Sequence, residues 1–275
     1  MSLFKPRYAR DFIWSDHGEP RLTLAKTTET ASPVSELPDN EHHNTIAIST
    51  ISSHPDLFKI VSPIKVDVFE RKLHNHLNQP FVQSVCRSLR EGFWPWADTN
   101  DPSHPNTYDN LKREIKEQMH RDFLIEQVWE EVELGQFSRD FGPELLPGMY
   151  SQPIGVVPKP HSDKFRMVVD QSAELYSLNS MIPKDERRVH LDNLHNLGDV
   201  LQKVQNRFGR DICLVCWKSD ISRAYRLMPV HPHWQIRQVV TVKAGQSLSR
   251  YVNHCNHFGN GAGGRVFICF NGLVV

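Results

Sequence analysis

Asp220 follows a run of apolar residues, ICLVCW at 212–217, and only Lys218 and Ser219 stand between the run and the acid. A carboxylate at the end of a buried strand is costly unless it is paired or binds a cation. Oxygen ligands suit Mg²⁺, which takes one or two protein carboxylates together with substrate phosphates. The carbonyl oxygen of Ile221 could add another ligand. The same acid could instead cap a short helix, because Asp is common at helix N-termini.

A second group of candidate residues lies in two short β-type runs, IGVVP and FRMVVD, which flank the turn-like stretch KPHSDK. This pattern predicts a β-hairpin with Lys159, Lys164 and Arg166 near its tip. If the hairpin folds over the face that carries Asp220, its cations and an acid-bound metal would grip a triphosphate from two sides. A solvated hairpin tip, which binds nothing, remains the alternative.

Composition divides the chain into three parts that must position these residues. Residues 1–62 are polar and lack sustained periodicity, which predicts a disordered or linker-like tail. Residues 63–150 predict a mainly helical region with a long helix over 107–134, whose charged residues are expected to face solvent. Residues 151–275 alternate β-type runs with a helix over 190–205, which predicts a mixed α+β domain.

The net charge of zero is the sum of two unlike halves. Residues 151–275 carry 16 Lys and Arg against 9 Asp and Glu, whereas residues 1–150 carry 16 against 23. Such asymmetry favours a polyanionic partner for the basic half, unless the segregation is accidental. The sequence has no apolar run of about 18 residues that would predict a membrane span. The N-terminal residues MSLFKPRYARDF lack the apolar core of a secretory signal. Together with five cysteines in no framework spacing, this predicts an intracellular protein of the cytoplasm or nucleus.

Four stretches resemble the fingers and palm of reverse transcriptases, the RNA-directed DNA polymerases of retrotransposons, in their fungal form. PIGVVPKPHSDKFRMVVDQSAELYSLNSMIP resembles the fingers hairpin, and SDISRAYRLMPVHP resembles the first metal-binding motif of the palm. HFGNGAGGRVFICF resembles the motif before a template-contacting helix, and WEEVELGQFSRDFGPELLPGMYSQP resembles the segment that precedes the fingers. The resemblance covers about residues 65–275. It implies an α+β right-hand polymerase fold with incomplete fingers and palm.

The resemblance implies a role for each candidate at the substrate. The implied substrate-binding residues are Lys159, Arg166, Ala224, Tyr225, Phe258 and Gly259. The two cations would contact the triphosphate of an incoming deoxynucleotide, and Tyr225 would be the steric gate against a ribose 2′-hydroxyl. Arg223 stands before Ala224, where some relatives carry a small or acidic residue, and it could contact a phosphate or point away. The implied partners are an RNA or DNA template–primer and a deoxynucleoside triphosphate.

The same resemblance makes Asp220 a catalytic residue and a ligand of Mg²⁺, with the Ile221 carbonyl oxygen beside it. The family continues into a Tyr-x-Asp-Asp hairpin that carries the second catalytic carboxylate, and no Asp or Glu follows Asp220 here. Two-metal phosphoryl transfer needs carboxylates that hold both ions. Asp170 is another acid in this half of the chain, but it lies on the hairpin, where the family has no metal ligand. We therefore expect weak Mg²⁺ binding and an inactive fragment, or a non-catalytic remnant that binds nucleic acid.

Spacing alone also permits a zinc site. Cys213 and Cys216 form a CxxC pair, and the stretch NHCNH adds His254, Cys255 and His257. The CxxC pair lies in an apolar run, however, and residues three apart in a strand face opposite sides. The pattern therefore favours buried small side chains over a metal site.

Overall fold

The structure is a computed structural model that describes residues 28–110, 115–160, 162–173, 175–189, 193–209, 211–213, 221–244 and 247–274. These residues form a mixed α/β protein with eight α-helices and two small β-sheets, which confirms the expected mixture of helices and strands. They fall into a large compact unit, within Thr27–Val189 and Ser219–Val275, and a small unit that contributes one helix, Leu194–Phe208. No helix in the described ranges is both long and apolar enough to cross a membrane.

The helices and strands are numbered here in chain order. The α-helices are α1 Asp39–His42, α2 Thr45–Ser53, α3 Val66–Lys72, α4 Gln79–Glu91, α5 Gln118–Glu133, α6 Leu194–Phe208, α7 Pro232–Gln235 and α8 Gly263–Val274. The strands are β1 Tyr108–Asp109, β2 Tyr150–Gln152, β3 Ile154–Pro158, β4 Phe165–Val169, β5 Val239–Ala244 and β6 Ser247–Val252. Two 3-10 turns cover Leu178–Met181 and Ala224–Leu227.

The larger sheet has the strand order β1-β2-β5-β6. The first three strands run parallel, and β6 returns antiparallel to β5. Parallel neighbours need long connections, so this sheet joins parts of the chain that are far apart in sequence. β3 and β4 form a separate antiparallel pair, in which Val157 lies opposite Arg166 and Pro158 lies opposite Phe165. The predicted β-hairpin is therefore confirmed.

The described part of the N-terminal segment, residues 28–62, differs from the expected tail. It contains α1 and α2, and the Asn44 side chain caps α2 by accepting a hydrogen bond from the Ala47 amide at 3.1 Å. Ala47 and Leu57 are buried in a cluster with apolar residues of β5 and β6. The prediction was wrong for these residues because helices of four and nine residues are too short to show an apolar stripe.

The long helix predicted over 107–134 is shorter in the structure. Tyr108 and Asp109 form β1, and α5 begins only at Gln118. The Asp109 carboxylate accepts a hydrogen bond from the Arg250 guanidinium at 2.6 Å. This ion pair fastens β1 to a partner in β6, which local periodicity along the chain does not reveal.

The expected boundary at residue 150 also differs from the structure. It falls at the start of β2, whose neighbours β1 and β5 come from the two sides of the proposed boundary. The large unit therefore contains most of both expected domains. The helix expected over 190–205 is present as α6, where Asn193 and Asn196 form a capping box.

α8 is packed against α4 in the largest described core cluster. Phe81 and Val85 of α4 are buried there together with Val266 and Phe270 of α8. The Phe270 ring also contacts the ring of Phe69, with centroids 5.3 Å apart. This apolar contact fixes α8 and thereby the glycine-rich stretch before it, which leads into the candidate site described below.

A buried ion pair connects α1 to the start of β5. The Glu41 side chain is 1% exposed, and its carboxylate accepts a hydrogen bond from Arg237 at 2.7 Å. Burial by itself would raise the pKa of this carboxyl. The hydrogen bond from His233, the charge of Arg237 and the Thr99 hydroxyl outweigh burial and lower that pKa from 4.5 to about 2.

We predict that Glu41 makes stability fall in acid. A carboxyl whose folded pKa is lowered stabilises the protein above its unfolded pKa, and the stabilisation is lost as pH falls toward the folded value. For Glu41 this corresponds to on the order of 3 kcal/mol, lost between about pH 4.5 and about pH 2. Glu41→Gln should cost about 3–5 kcal/mol at neutral pH, and the difference should shrink through this pH range in urea unfolding.

The matched control is Glu36→Gln, because Glu36 is exposed and pairs with Arg87 on the surface. That variant should stay within about 1 kcal/mol of the parent at every pH. Equal and pH-independent losses in the two variants would show that the buried pair does not govern acid stability.

Candidate functional site

The hairpin β3–β4 places Arg166 beside an aromatic ring from a distant part of the chain. The guanidinium carbon of Arg166 lies 5.8 Å from the ring centroid of Phe258, within the range of a cation–π contact. Lys159 follows Pro158 at the end of β3, where its backbone N–H donates to the Lys164 carbonyl oxygen at 2.8 Å. The Lys159 and Arg166 side chains are exposed, so both cations are accessible to an anionic ligand.

Tyr225 reaches the same place from the 3-10 turn at Ala224–Leu227. Its half-buried ring lies edge-on to Phe258, with centroids 4.5 Å apart and planes at 75°. The ring of Phe267 in α8 lies 5.7 Å from the Tyr225 ring, with the two planes tilted at 58°. Aromatic contacts at these centroid distances are favourable. We refer to Arg166, Tyr225, Phe258 and Phe267 as the aromatic cluster.

Phe258 is the exposed ring of the aromatic cluster, with 67% of its surface accessible. Tyr225 and Arg166 contact this ring, and much of its remaining surface faces solvent. Exposed aromatic rings beside a cation can stack on bases, while a guanidinium binds phosphate through charge-assisted hydrogen bonds. The aromatic cluster can therefore bind a ligand that combines a flat ring with an anionic group.

Gly259 holds the cluster against the end of the hairpin. A Cβ atom at this position would lie 2.2 Å from the carbonyl oxygen of Val169, so only glycine allows the approach. The Gly259 carbonyl oxygen also accepts a hydrogen bond from the Asn179 side chain at 2.8 Å, and that side chain accepts one from the Gly261 amide at 2.7 Å. These contacts fix the turn between Phe258 and α8.

The remaining predicted site residues are placed as follows. Asp220, the predicted catalytic residue and metal ligand, lies outside the described residues. Ile221 is half-buried and comes shortly before the turn that Ala224 opens. The structure thus brings Arg166 and Tyr225 into contact with Phe258, and Gly259 lies against the Val169 carbonyl oxygen. Lys159 lies just beyond the last β3–β4 residue pair, toward the hairpin turn.

In the described ranges, no group of three or more His, Cys, Asp or Glu side chains is arranged to hold a metal ion. Of the zinc candidates, Cys213 is exposed and Cys216 lies outside the described residues. His254 is buried with its two ring nitrogens 2.7 Å from the Gly135 carbonyl oxygen and 2.9 Å from the Leu57 carbonyl oxygen. Its contacts thus join two backbone segments.

Sequence reasoning missed the buried ion pair next to Tyr225. Glu131 of α5 is buried and binds both Arg223 and Arg226, although the charged residues of this helix were expected to face solvent. The missed signal is its position, because Leu124, Val128 and Glu131 share the buried face of α5. Arg223 is thereby accounted for: its guanidinium contacts the Glu131 carboxylate at 2.9 Å.

Comparisons with known proteins do not assign this chain to a family. No protein-family model matches the sequence, and no curated protein matches it significantly.

We predict that Gly259→Ala disrupts the aromatic cluster. The added methyl group would have to displace the backbone at Val169, and overpacking of this kind costs about 1–3 kcal/mol. Chemical denaturation would measure the loss. The control is Gly155→Ala on the same hairpin, where the new Cβ would make an ordinary contact with Val168 at 3.4 Å. Similar small effects in both variants would mean that the turn can move away from the hairpin freely.

Proposed function

We propose that the chain is the fingers and partial palm of a retrotransposon-type reverse transcriptase, and that it binds a deoxynucleoside triphosphate and a template–primer. The supporting observation is the aromatic cluster. Arg166, Tyr225 and Phe258 come from three stretches that each resemble a different motif of this family, and their side chains are in contact. The fold thus brings together side chains from three stretches that are separate in the sequence.

The chemistry of the aromatic cluster suits a nucleotide. Arg166 offers a forked donor for phosphate oxygens, and the open surface of Phe258 offers an apolar contact for a base or sugar. Tyr225 contacts the rings of Phe258 and Phe267, and by resemblance its side chain would face the sugar of the nucleotide. Gly264 lies close to that hydroxyl, because a Cβ at this glycine would be 3.7 Å from the Tyr225 oxygen.

We predict that Arg166 carries a large part of nucleotide affinity. A charge-assisted hydrogen bond contributes about 1.5–3 kcal/mol, so Arg166→Ala should weaken binding roughly tenfold or more. Fluorescence anisotropy with a labelled deoxynucleoside triphosphate and Mg²⁺ would measure this. The control is Arg139→Ala, because Arg139 is an exposed arginine that pairs with Asp56. Equal affinities for the two variants, or no binding by the parent chain, would contradict the proposed site.

Catalysis is expected to be absent from these 275 residues. Asp220 is the last acid in the sequence, and two-metal transfer needs carboxylates that hold both ions. A primer-extension assay with Mg²⁺ should therefore show no product above background. Extension by the purified chain that disappears in Asp220→Asn would show that a single aspartate suffices here and would overturn this expectation.

A binding module without metal chemistry is the second candidate, and the basic excess of residues 151–275 favours it. Such a module would bind single-stranded nucleic acid with an affinity that falls steeply with salt. Its binding would survive Asp220→Asn and would not respond to Mg²⁺. The proposed polymerase fragment instead requires nucleotide binding that depends on Mg²⁺ and is lost in the same variant, so one pair of titrations separates the two functions.

A further inference from the structure

Arg226 is a buried cation directly next to Tyr225 in the sequence. It is 7% exposed, and its partner Glu131 in α5 is 4% exposed. The two side chains form a short ion pair, and Glu131 also accepts a hydrogen bond from Arg223. A buried charge is costly unless hydrogen bonds satisfy it. The contacts that satisfy this guanidinium therefore restrict where the neighbouring Tyr225 can lie.

The other contacts of Arg226 lead toward Phe258. Its guanidinium donates to the Asn253 side-chain oxygen at 2.8 Å and to the Cys255 and Asn256 carbonyl oxygens at 3.4 and 3.5 Å. The last of these residues lies two positions before Phe258. One side chain thus connects the turn that carries Tyr225 with the segment that leads into Phe258.

Backbone hydrogen bonds between the same two segments reinforce the connection. The Met228 amide donates to the Tyr225 carbonyl oxygen at 3.1 Å, and the Asn256 amide donates to the Met228 carbonyl oxygen at 2.9 Å. Gln136 adds a further contact, because its side-chain oxygen accepts from the Arg226 Nε at 3.2 Å. The guanidinium and the backbone therefore fix one relative position of the two segments.

We propose that Arg226, held by Glu131, is the positioning residue for both Tyr225 and Phe258. Its guanidinium holds the turn that carries Tyr225 to the segment that leads into Phe258, and thereby sets the edge-on contact between the two rings without touching a ligand. The part of this proposal that concerns ligand binding rests on the proposed function. The relative position of the rings can be tested without any ligand.

The first experiment measures the ring contact itself. The chain has six tyrosines, so uniform labelling with 3-fluorotyrosine gives few ¹⁹F signals, and Tyr225→Phe identifies the one from Tyr225. Phe258→Ala gives the shift expected when the ring contact is lost. Arg226→Lys keeps the charge but loses the forked contacts, and should move the Tyr225 signal by a comparable amount.

The matched control is Arg237→Lys, because Arg237 is also a buried arginine paired with a buried carboxylate, Glu41. It should lower stability without moving the Tyr225 signal. An unchanged Tyr225 signal in folded Arg226→Lys would overturn the proposal, as would equal shifts in both lysine variants. If Arg226→Lys does not fold, the double variant Glu131→Gln with Arg226→Gln, which leaves no unpaired charge, decides the same question.

The second experiment measures the consequence for ligand binding. Affinities for a deoxynucleoside and a ribonucleoside triphosphate are compared in the parent chain and the two lysine variants. Arg226→Lys should bring the ratio of the two affinities close to one, and Arg237→Lys should leave it unchanged. A preserved ratio in Arg226→Lys would contradict positioning at the ligand. Absence of nucleotide binding by the parent chain would contradict the proposed function, while the ¹⁹F result would still decide how the rings are positioned.

Discussion

The buried ion pair between Glu131 and Arg226 is the constraint on which the candidate site depends. A charged pair removed from water is stable only when its remaining donors and acceptors are satisfied. Here the satisfying groups come from α5, from the 3-10 turn and from the segment after β6. These parts must therefore keep one arrangement, and the aromatic rings attached to two of them inherit that arrangement.

Glu41 and Arg237 form a second ion pair between a buried carboxylate and a buried guanidinium. It joins residues 196 positions apart, and it fastens α1 to the segment that enters β5. Apolar clusters tolerate many alternative packings, whereas a forked guanidinium contact tolerates few. The Glu41–Arg237 pair thus specifies how α1 meets the segment that enters β5, and the Glu131–Arg226 pair specifies how α5 meets the turn that carries Tyr225.

The sequence predicts an element of this structure when the residues that form the element are close together in the chain. The hairpin β3–β4 could be predicted because its turn chemistry and its β-type runs are adjacent. β1 and α1 could not, since elements of two and four residues depend on partners elsewhere in the chain. Glu131 was assigned to solvent because a charge on a helix usually is exposed, and only its place in line with Leu124 and Val128 indicated burial. The family resemblance names the residues of the candidate site. Periodicity along the chain does not predict that their side chains are in contact.

The proposed nucleotide binding and the proposed metal chemistry call on different residues of this chain. The positions of Tyr225 and Phe258 follow from hydrogen bonds and ring contacts among described residues, with Arg226 at their centre. The proposed metal-dependent transfer would need Asp220 and a second carboxylate, and no Asp or Glu follows Asp220 in this sequence. The contacts that Arg166 and Phe258 could offer a nucleotide are therefore separate from the transfer step, whereas the Mg²⁺ dependence of binding tests Asp220. This is why nucleotide affinity, measured on its own, is the property that bears most directly on what the aromatic cluster does.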